Sequence, residues 1–389
     1  MLRRIGSAFR IFYNSQRFTG GLLILCTILS LGIANSSLGV GYSDFWKANL
    51  FQSTNSSHLP SNLQAIINDV LMAFFFLLVG LEIKREALSG ELSSFQRASL
   101  PVAAALGGMI FPALIYFFFN RGLPSVHGWG IPMATDIAFA IGILSLLGSR
   151  IPDSLKLLLT ALAVADDLGA VLVIAIFYSD TIHLLWLSGA TITLMALYLM
   201  NKKRVKSLTP YLLVGAGLWF FVHQSGIHAT IAGVLLAFFI PYDSQIQNDP
   251  LQRLEHLLHR PVSHLVMPLF AMANTSILIQ SEFSSILTDP MGLGISAGLF
   301  LGKPLGILLF VWLAIKMGAS KIPEGVGLQQ ILGIGMLGGI GFTMSIFVAM
   351  LAFEDANTVE TAKLSILIAS LASALAGLFF LRYSTRTDD

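Results

Sequence analysis

The stretch LTALAVADDLGAVLVIAIF, residues 159–177, is apolar except for Thr160 and two adjacent aspartates near its midpoint, Asp166 and Asp167. A helix needs about 20 mostly apolar residues to cross the hydrocarbon core of a bilayer. An ionised side chain at the bilayer centre costs about 2.5–3.5 kcal/mol on insertion scales. Two acids at that depth therefore indicate a functional site inside a membrane protein.

The composition of the whole chain agrees with a membrane location. Of 389 residues, 55% are hydrophobic and 11% charged, with a mean hydropathy of +0.77, whereas soluble domains are about 25% charged. This excludes an ordinary cytosolic enzyme. The net charge is only +2 and no basic stripe is interleaved with aromatic residues, so we expect no nucleic-acid partner. A single cysteine, Cys26, excludes a disulfide framework within the chain.

The same length rule predicts an all-α integral membrane protein, one polytopic domain over residues 1–389. With an internal N-terminus, nineteen of the 23 basic residues fall on the inner side and three outside, which places both termini in the cytoplasm. The polar loop 37–62 lies outside, either as a small hairpin or oligomer contact or as an ordinary surface loop. The twelve predicted spans are about 18–36, 63–82, 98–119, 125–147, 154–178, 183–201, 208–222, 226–240, 261–281, 291–317, 328–352 and 360–382.

Two further charged residues are predicted at the depth of the aspartate pair, Asp136 in the fourth span and Lys303 in the tenth. Successive helix positions differ by about 100°, so Asp166 and Asp167 cannot both face one partner. One can pair with Lys303 while the other joins Asp136 around a cation, and oxygen ligands suit hard ions such as Na⁺ or Li⁺. The alternative is a buried charge network without a transport role.

Such carboxylates are suited to exchange. Burial and like-charge neighbours favour the protonated form of a carboxylate, so a cation and protons compete for the same group. Alternating exposure of that competition to the two sides of the membrane is antiport. We therefore expect Na⁺, Li⁺ and H⁺ as transported substrates and no cofactor.

Glycine and proline interrupt two of the predicted spans. In the fourth, Pro132 precedes Thr135 and Asp136, and proline removes a backbone donor from a helix. In the eleventh, a run that includes Gly338, Gly339 and Gly341 carries no charge. Close helix packing is the other use of such glycines.

The interrupted spans are the middle members of two three-helix sets that enter the membrane from opposite sides. Interrupted segments at corresponding positions of inverted repeats point to the central site of a transporter. We therefore predict a core bundle from residues 98–178 and 291–382, with helices 4 and 11 crossing. Residues 18–82 and 183–281 would supply the remaining interface and support helices.

Three other functions compete with antiport. A Na⁺-coupled symporter would need a polar or aromatic cavity for an organic solute, and the segments around the aspartates offer little beyond ion ligands. An intramembrane aspartyl protease shares one proton between two facing aspartates, but it has no use for an adjacent pair or a central lysine. A channel is the third alternative, but buried carboxylates that favour protonation suit stepwise exchange better than fast conduction.

Seven ordered segments across nearly the whole length resemble the NhaA-type Na⁺/H⁺ antiporters of bacterial inner membranes. This resemblance implies a secondary active transporter, not an enzyme, that extrudes sodium electrogenically for more than one proton and forms homodimers in the inner membrane. The segments are FFFLLVGLEIKRE (74–86), GWGIPMATDIAFA (128–140), ALAVADDLGA (161–170), GIHATIAG (226–233), RLEHLLH (253–259), GKPLGI (302–307) and GIGFTMSIF (339–347).

The resemblance also assigns residue roles. Asp167 is then the surer cation ligand, and Asp166 pairs with Lys303, a charge-compensating group and candidate proton carrier. Thr135 and Asp136, also assigned to cation and proton binding, sit where the interrupted helices cross, and Asp136 compensates the charge of the helix ends. A pH-sensing cluster is implied at the cytoplasmic side, where ordinary interfacial anchoring is the alternative for each member. The cluster consists of Glu82, Arg85, Glu86, Glu255 and His256.

Overall fold

The computed structural model describes residues 16–49, 60–179, 181–245, 249–278 and 288–384. Over these ranges the chain is helical, and its only β pairing is an isolated antiparallel bridge between Asn49 and Asn62. The all-α prediction is confirmed. Residues 50–59 of the external loop, residues 279–281 of the ninth predicted span and the terminal segments used to orient the chain lie outside the described residues.

Several helices are long and apolar enough to cross a membrane. Within the described ranges there are six, or up to nine if three bent helix pairs are each counted as one span. The predicted number of twelve stays a prediction. Helices 208–224, 231–239 and 250–274, which are not among these, occupy three of the remaining predicted positions.

Contacts divide the chain into two compact units. The first contains the described parts of residues 1–29, 94–170 and 277–389. The prediction had placed the first helix among the support helices, whereas residues 16–29 belong here to the first unit. Its helices are α4 (Phe95–Asn120), the 3-10 helix Pro124–Met133, α5 (Ile137–Leu146), most of α6 (Asp153–Phe177), α11 (Pro290–Lys316), α12 (Leu328–Gly338), α13 (Phe342–Ala352) and α14 (Ala356–Ser384).

The second unit contains the described parts of residues 30–93 and 171–276. Helix α1 (Gln16–Ala34) begins in the first unit and ends in the second. The other helices of the second unit are α2 (Gly39–Lys47), α3 (Leu63–Ser89), α7 (Leu184–Lys202), α8 (Leu208–Gln224), α9 (Ile231–Phe239) and α10 (250–274).

Glycines bring three helices of the first unit into backbone contact. A Cβ atom on Gly107 of α4 would collide with the backbone carbonyl of Gly306 on α11, and one on Gly306 would collide with that of Gly107. On another face of α11, a Cβ on Gly335 of α12 would lie 2.9 Å from the Cα of Pro304. Small residues allow helices in a membrane to approach closely. These contacts hold the segment of α11 that carries Lys303 between α4 and α12.

Candidate functional site

Two broken helices meet at the centre of the first unit. The 3-10 helix and α5 bend by 44° across residues 134–136, and α12 and α13 bend by 49° across residues 339–341. The backbone N–H of Asp136 donates to the carbonyl of Ile340 at 2.7 Å, and the hydroxyl of Thr135 donates to the carbonyl of Gly338 at 2.9 Å. Each break therefore supplies partners for the polar backbone groups that the other exposes.

One carboxylate accepts hydrogen bonds from the N-termini of two helices. Asp136 is the N-cap of α5, and its Oδ1 accepts from the N–H of Phe139 at 3.1 Å. Its Oδ2 accepts from the N–H of Thr343, in the first turn of α13, at 3.2 Å, and from the Thr343 hydroxyl. Each helix N-terminus carries about half a positive charge, so a buried anion is stabilised here.

The Lys303 ammonium lies at the C-terminal ends of the broken helices, whereas Asp136 lies at their N-terminal ends. Its side chain is 0% exposed, and its ammonium donates to Asp166 Oδ2 at 2.5 Å, to Thr135 Oγ1 at 2.7 Å and to the carbonyl of Met133, the last residue of the 3-10 helix. A lysine ammonium has three donors, and all three have acceptors. Through Thr135 the lysine also reaches the carbonyl of Gly338 at the end of α12.

The adjacent aspartates diverge as the helical geometry requires. Asp166 faces Lys303, as the resemblance implied, while Asp167 is 2% exposed and interacts electrostatically with the same ammonium. The second oxygen of Asp166, Oδ1, is buried with no hydrogen-bond partner among the described residues. Those residues contain no group of three or more His, Cys, Asp or Glu placed to hold a metal ion. Both oxygens of Asp136 accept hydrogen bonds from helix ends, so Asp166 and Asp167 are the principal candidate ion ligands; the binding roles predicted for Thr135 and Asp136 stay predictions.

Substitution of Asp136 should lower stability in two steps. Losing an N-cap costs about 0.5–2 kcal/mol, so Asp136→Ala, which uncaps α5 and α13, should cost about 1–4 kcal/mol. Asp136→Asn keeps one oxygen and should cost about half as much. The measurement is the thermal unfolding midpoint of the purified protein in detergent.

Asp355 provides the matched control for Asp136. Its exposed carboxylate accepts from the N–H of Thr358 at 2.9 Å, which is the same capping chemistry at one helix only. Asp355→Ala should therefore cost less than Asp136→Ala. Equal midpoints for both alanine variants would contradict the role of Asp136 at two helix ends.

The predicted pH-sensing residues lie together in the second unit. Glu82, Arg85 and Glu86 follow one another along α3, and Arg85 Nε donates to Glu255 Oε2 on α10 at 3.1 Å. Arg85 also pairs with Glu86 at 3.1 Å, and Glu82 interacts electrostatically with all three. His256 is exposed and acts on Glu255. Burial raises the pKa of Glu255, against the lowering by Arg85 and then by His256.

Three hydroxyl groups at the broken helices were not among the predicted site residues. Thr343 binds Asp136, Ser345 donates to the carbonyl of Ile131 at 2.7 Å, and Ser370 accepts from the N–H of Phe342 at 3.1 Å. The polar pattern after the glycine run in GIGFTMSIF is a signal for the first two. Nothing in the sequence around Ser370 distinguishes it from an ordinary small packing residue.

A bundle of apolar helices with a charged cluster buried where two of them break is the architecture of a secondary transporter. The family described as Na⁺/H⁺ antiporter 1 matches residues 10–381. The chain is 51% identical to Na⁺/H⁺ antiporter NhaA 2 of Flavobacterium johnsoniae over 374 residues, 96% of this chain and 92% of that protein. It is 49% identical to Na⁺/H⁺ antiporter NhaA of Dechloromonas aromatica over 390 residues, 99% and 98% of the two chains.

The chain belongs to the Na⁺/H⁺ antiporter 1 family. The predicted resemblance is thereby confirmed. Antiporters are secondary transporters, so the prediction that the chain is not an enzyme is confirmed as well.

Proposed function

We propose that this protein extrudes Na⁺ or Li⁺ in exchange for more than one proton, by competition at Asp166 and Asp167. The exchange of Na⁺ for H⁺ follows from family membership. The assignment of residues, the unequal stoichiometry and the use of Li⁺ are the proposal. The observation that carries it is the charge balance of the buried cluster.

In that balance, the charges of Asp136 and Lys303 cancel the partial charges at the ends of the broken helices. Two helix N-termini contribute about +1 and two C-termini about −1. Asp136 lies on the N-termini, and Lys303 binds one C-terminus directly and the other through Thr135. The carboxylates of Asp166 and Asp167 then remain as a net charge of about −2. Two protons neutralise such a pair and one monovalent cation does not, which supports an electrogenic cycle driven by the proton-motive force.

Lys303 also links cation binding at Asp166 to the release of a proton. Its ammonium is hydrogen-bonded to Asp166 at 2.5 Å while Asp166 Oδ1 is buried with no hydrogen-bond partner in the described part of the chain. A cation bound to Asp166 would weaken this ion pair. The Asp166 carboxylate stabilises the Lys303 ammonium, so a weaker pair favours loss of a proton from the lysine. Lys303 is therefore our candidate carrier for one of the two exchanged protons, in place of Asp166.

The aspartyl protease alternative conflicts with the site. A shared proton needs two carboxylates that face each other. Asp136, the only partner considered for Asp167 in that reaction, directs both of its oxygens at helix ends. A solute symporter gains no support from the names of the relatives.

The remaining expectations complete the proposal. Twelve spans with inverted repeats and crossing helices would place the site at the bilayer centre. We further propose a homodimer in the bacterial inner membrane, as the resemblance implies, with both termini in the cytoplasm, as the charge bias of the sequence indicates.

Everted membrane vesicles test the exchange directly. After acidification of the lumen, Na⁺ or Li⁺ should release luminal protons and relieve the quenching of a pH-sensitive dye, whereas K⁺ should not. No organic solute should be required. In proteoliposomes at zero applied potential, Na⁺ should also produce a current. An electrically silent exchange would reject the unequal stoichiometry. The dye assay separately determines which cations are exchanged for protons.

We also propose that the second-unit cluster makes transport pH-dependent through Glu255. The raised pKa of Glu255 means that its buried protonated form is stabilised at low pH and that this stabilisation is lost as the pH rises through the raised pKa. Deprotonation adds a negative charge beside Glu82 and Glu86 and strengthens the pair with Arg85.

Glu255→Gln should therefore shift or flatten the pH profile of Na⁺-dependent dequenching, because the substitution fixes the uncharged form. The matched control is Glu354→Gln, an exposed glutamate in the first unit. A Glu255→Gln profile that superimposes on that of the control would show that Glu255 is only an interfacial anchor.

A further inference from the structure

An apolar groove of about 530 Å³ lies on the first unit, and none of its lining residues belongs to the charged cluster. One face of α11 forms its floor through Leu305, Leu308, Leu309 and Trp312, spaced as one helical stripe. Phe111 of α4 lines one side, and on the other side lie Leu328, Gln329 and Leu332 of α12. Gln329 is the only polar residue in this lining.

The ammonium of Lys316 lies at one end of the groove. The Lys316 ammonium lies 4.8 Å from the ring centroid of Trp312, which itself lines the groove. A hydrogen bond of 2.8 Å between Ser99 and Ser320 joins the start of α4 to the loop that follows α11. Arg97 and Lys321, both exposed, flank that bond in sequence. Glu324 is the one acid in the loop 317–327.

The dimensions fit one leaflet of a bilayer. From Leu305 to Lys316 the helix rises about 16 Å, at about 1.5 Å per residue. Half of a hydrocarbon core is about 15 Å thick. With Lys303 at the bilayer centre, as proposed above, this segment of α11 runs from near the centre to the interface, where Lys316 lies. Basic pockets between transmembrane helices on the cytoplasmic side are suited to anionic lipid head groups.

We propose that this groove binds one anionic phospholipid, with an acyl chain along the α11 stripe and its phosphate at Lys316. The apolar lining matches the chain, and the cation beside Trp312 matches the head group. A second copy of the protein is the alternative occupant, and the test below distinguishes it from a lipid. The proposal rests on the proposed membrane placement of α11 but not on ion exchange at the aspartates.

The test uses the purified full-length protein, delipidated in detergent and offered equal amounts of phosphatidylglycerol and phosphatidylethanolamine with identical chains. Native mass spectrometry should show preferential retention of phosphatidylglycerol. Lys316→Gln should reduce that preference about fivefold, since one lysine near a membrane surface contributes about 1 kcal/mol. Lys47→Gln, which removes an exposed lysine of the second unit, should retain the wild-type preference.

Two further measurements locate the lipid. Leu308→Trp, which fills the groove, should reduce retention of both lipids, and a phosphatidylglycerol with a photoreactive acyl chain should label residues 305–312 of the wild type. Unchanged preference in Lys316→Gln or labelling confined to residues that do not line the groove would overturn the proposal. So would a Leu308→Trp variant that changes the fraction of dimer without changing lipid retention, since the groove would then be an interface between copies.

Discussion

Asp167→Asn should abolish Na⁺-dependent proton release while the protein remains folded and inserted. Asp167 is 2% exposed, and its carboxylate belongs to the pair that the charge balance leaves for cations and protons. An asparagine amide carries no charge and has no proton to exchange, so the variant lacks both the negative charge that binds the cation and the proton that the cation displaces. The measurement is Na⁺-induced dequenching in everted vesicles at matched protein amounts.

Asp153→Asn is the matched control for this substitution. Asp153 is the first residue of α6, the helix that carries Asp167, and its side chain is 97% exposed in an ion pair with Lys156. Exposed ion pairs contribute about 0–1 kcal/mol, so this variant should exchange as the wild type does. Wild-type exchange by Asp167→Asn would refute the site assignment, and loss of exchange in the control would show a general sensitivity of α6.

Lys303→Ala should destabilise the protein by about 3–5 kcal/mol, because it breaks a buried ion pair and leaves Asp166 without its partner. The same substitution removes the donor to the carbonyl of Met133 and to the hydroxyl of Thr135. We expect a large drop in the thermal unfolding midpoint in detergent. The effect should exceed that of an exposed lysine such as Lys156 changed to alanine.

A double variant separates the charge from the packing contribution. Lys303→Ala with Asp166→Asn removes both charges, so part of the lost stability should return even though neither variant should exchange ions. A non-additive cycle of this kind is expected for residues in direct contact. If the double variant is as unstable as the sum of the single variants, the ion pair has no net role in the fold.

The positions of most helices could be predicted from length and hydropathy. The fifth predicted span, 154–178, corresponds to α6 at Asp153–Phe177, and the seventh, 208–222, to α8 at Leu208–Gln224. The ninth was predicted to begin at 261, whereas α10 begins at Pro250. Its first turns, around RLEHLLH, are amphipathic and carry charge, so a rule based on continuous apolar residues cannot find them.

The charged members of the site could be predicted because their burial is costly. Helix geometry alone could not predict their pairing, since a separation of about 100° shows that Asp166 and Asp167 diverge but not which of them faces Lys303; only the family resemblance implied that Asp166 does. A local capping rule explains the bond from Phe139 to Asp136, three residues apart. The bond from Thr343 depends on how two broken helices pack across 207 positions of sequence, and no pattern in either segment specifies that contact.

The central claim is that a cation and protons compete for Asp166 and Asp167. Calorimetric titration of the purified protein with Na⁺, across a pH series and in buffers of different ionisation enthalpy, measures both affinity and proton release. Ligands that must be deprotonated bind more weakly at low pH and release protons on binding. We predict that Na⁺ binding releases protons. For each proton displaced, the affinity for Na⁺ should fall by about tenfold per unit decrease in pH. An affinity independent of pH, with no proton released, would contradict the account.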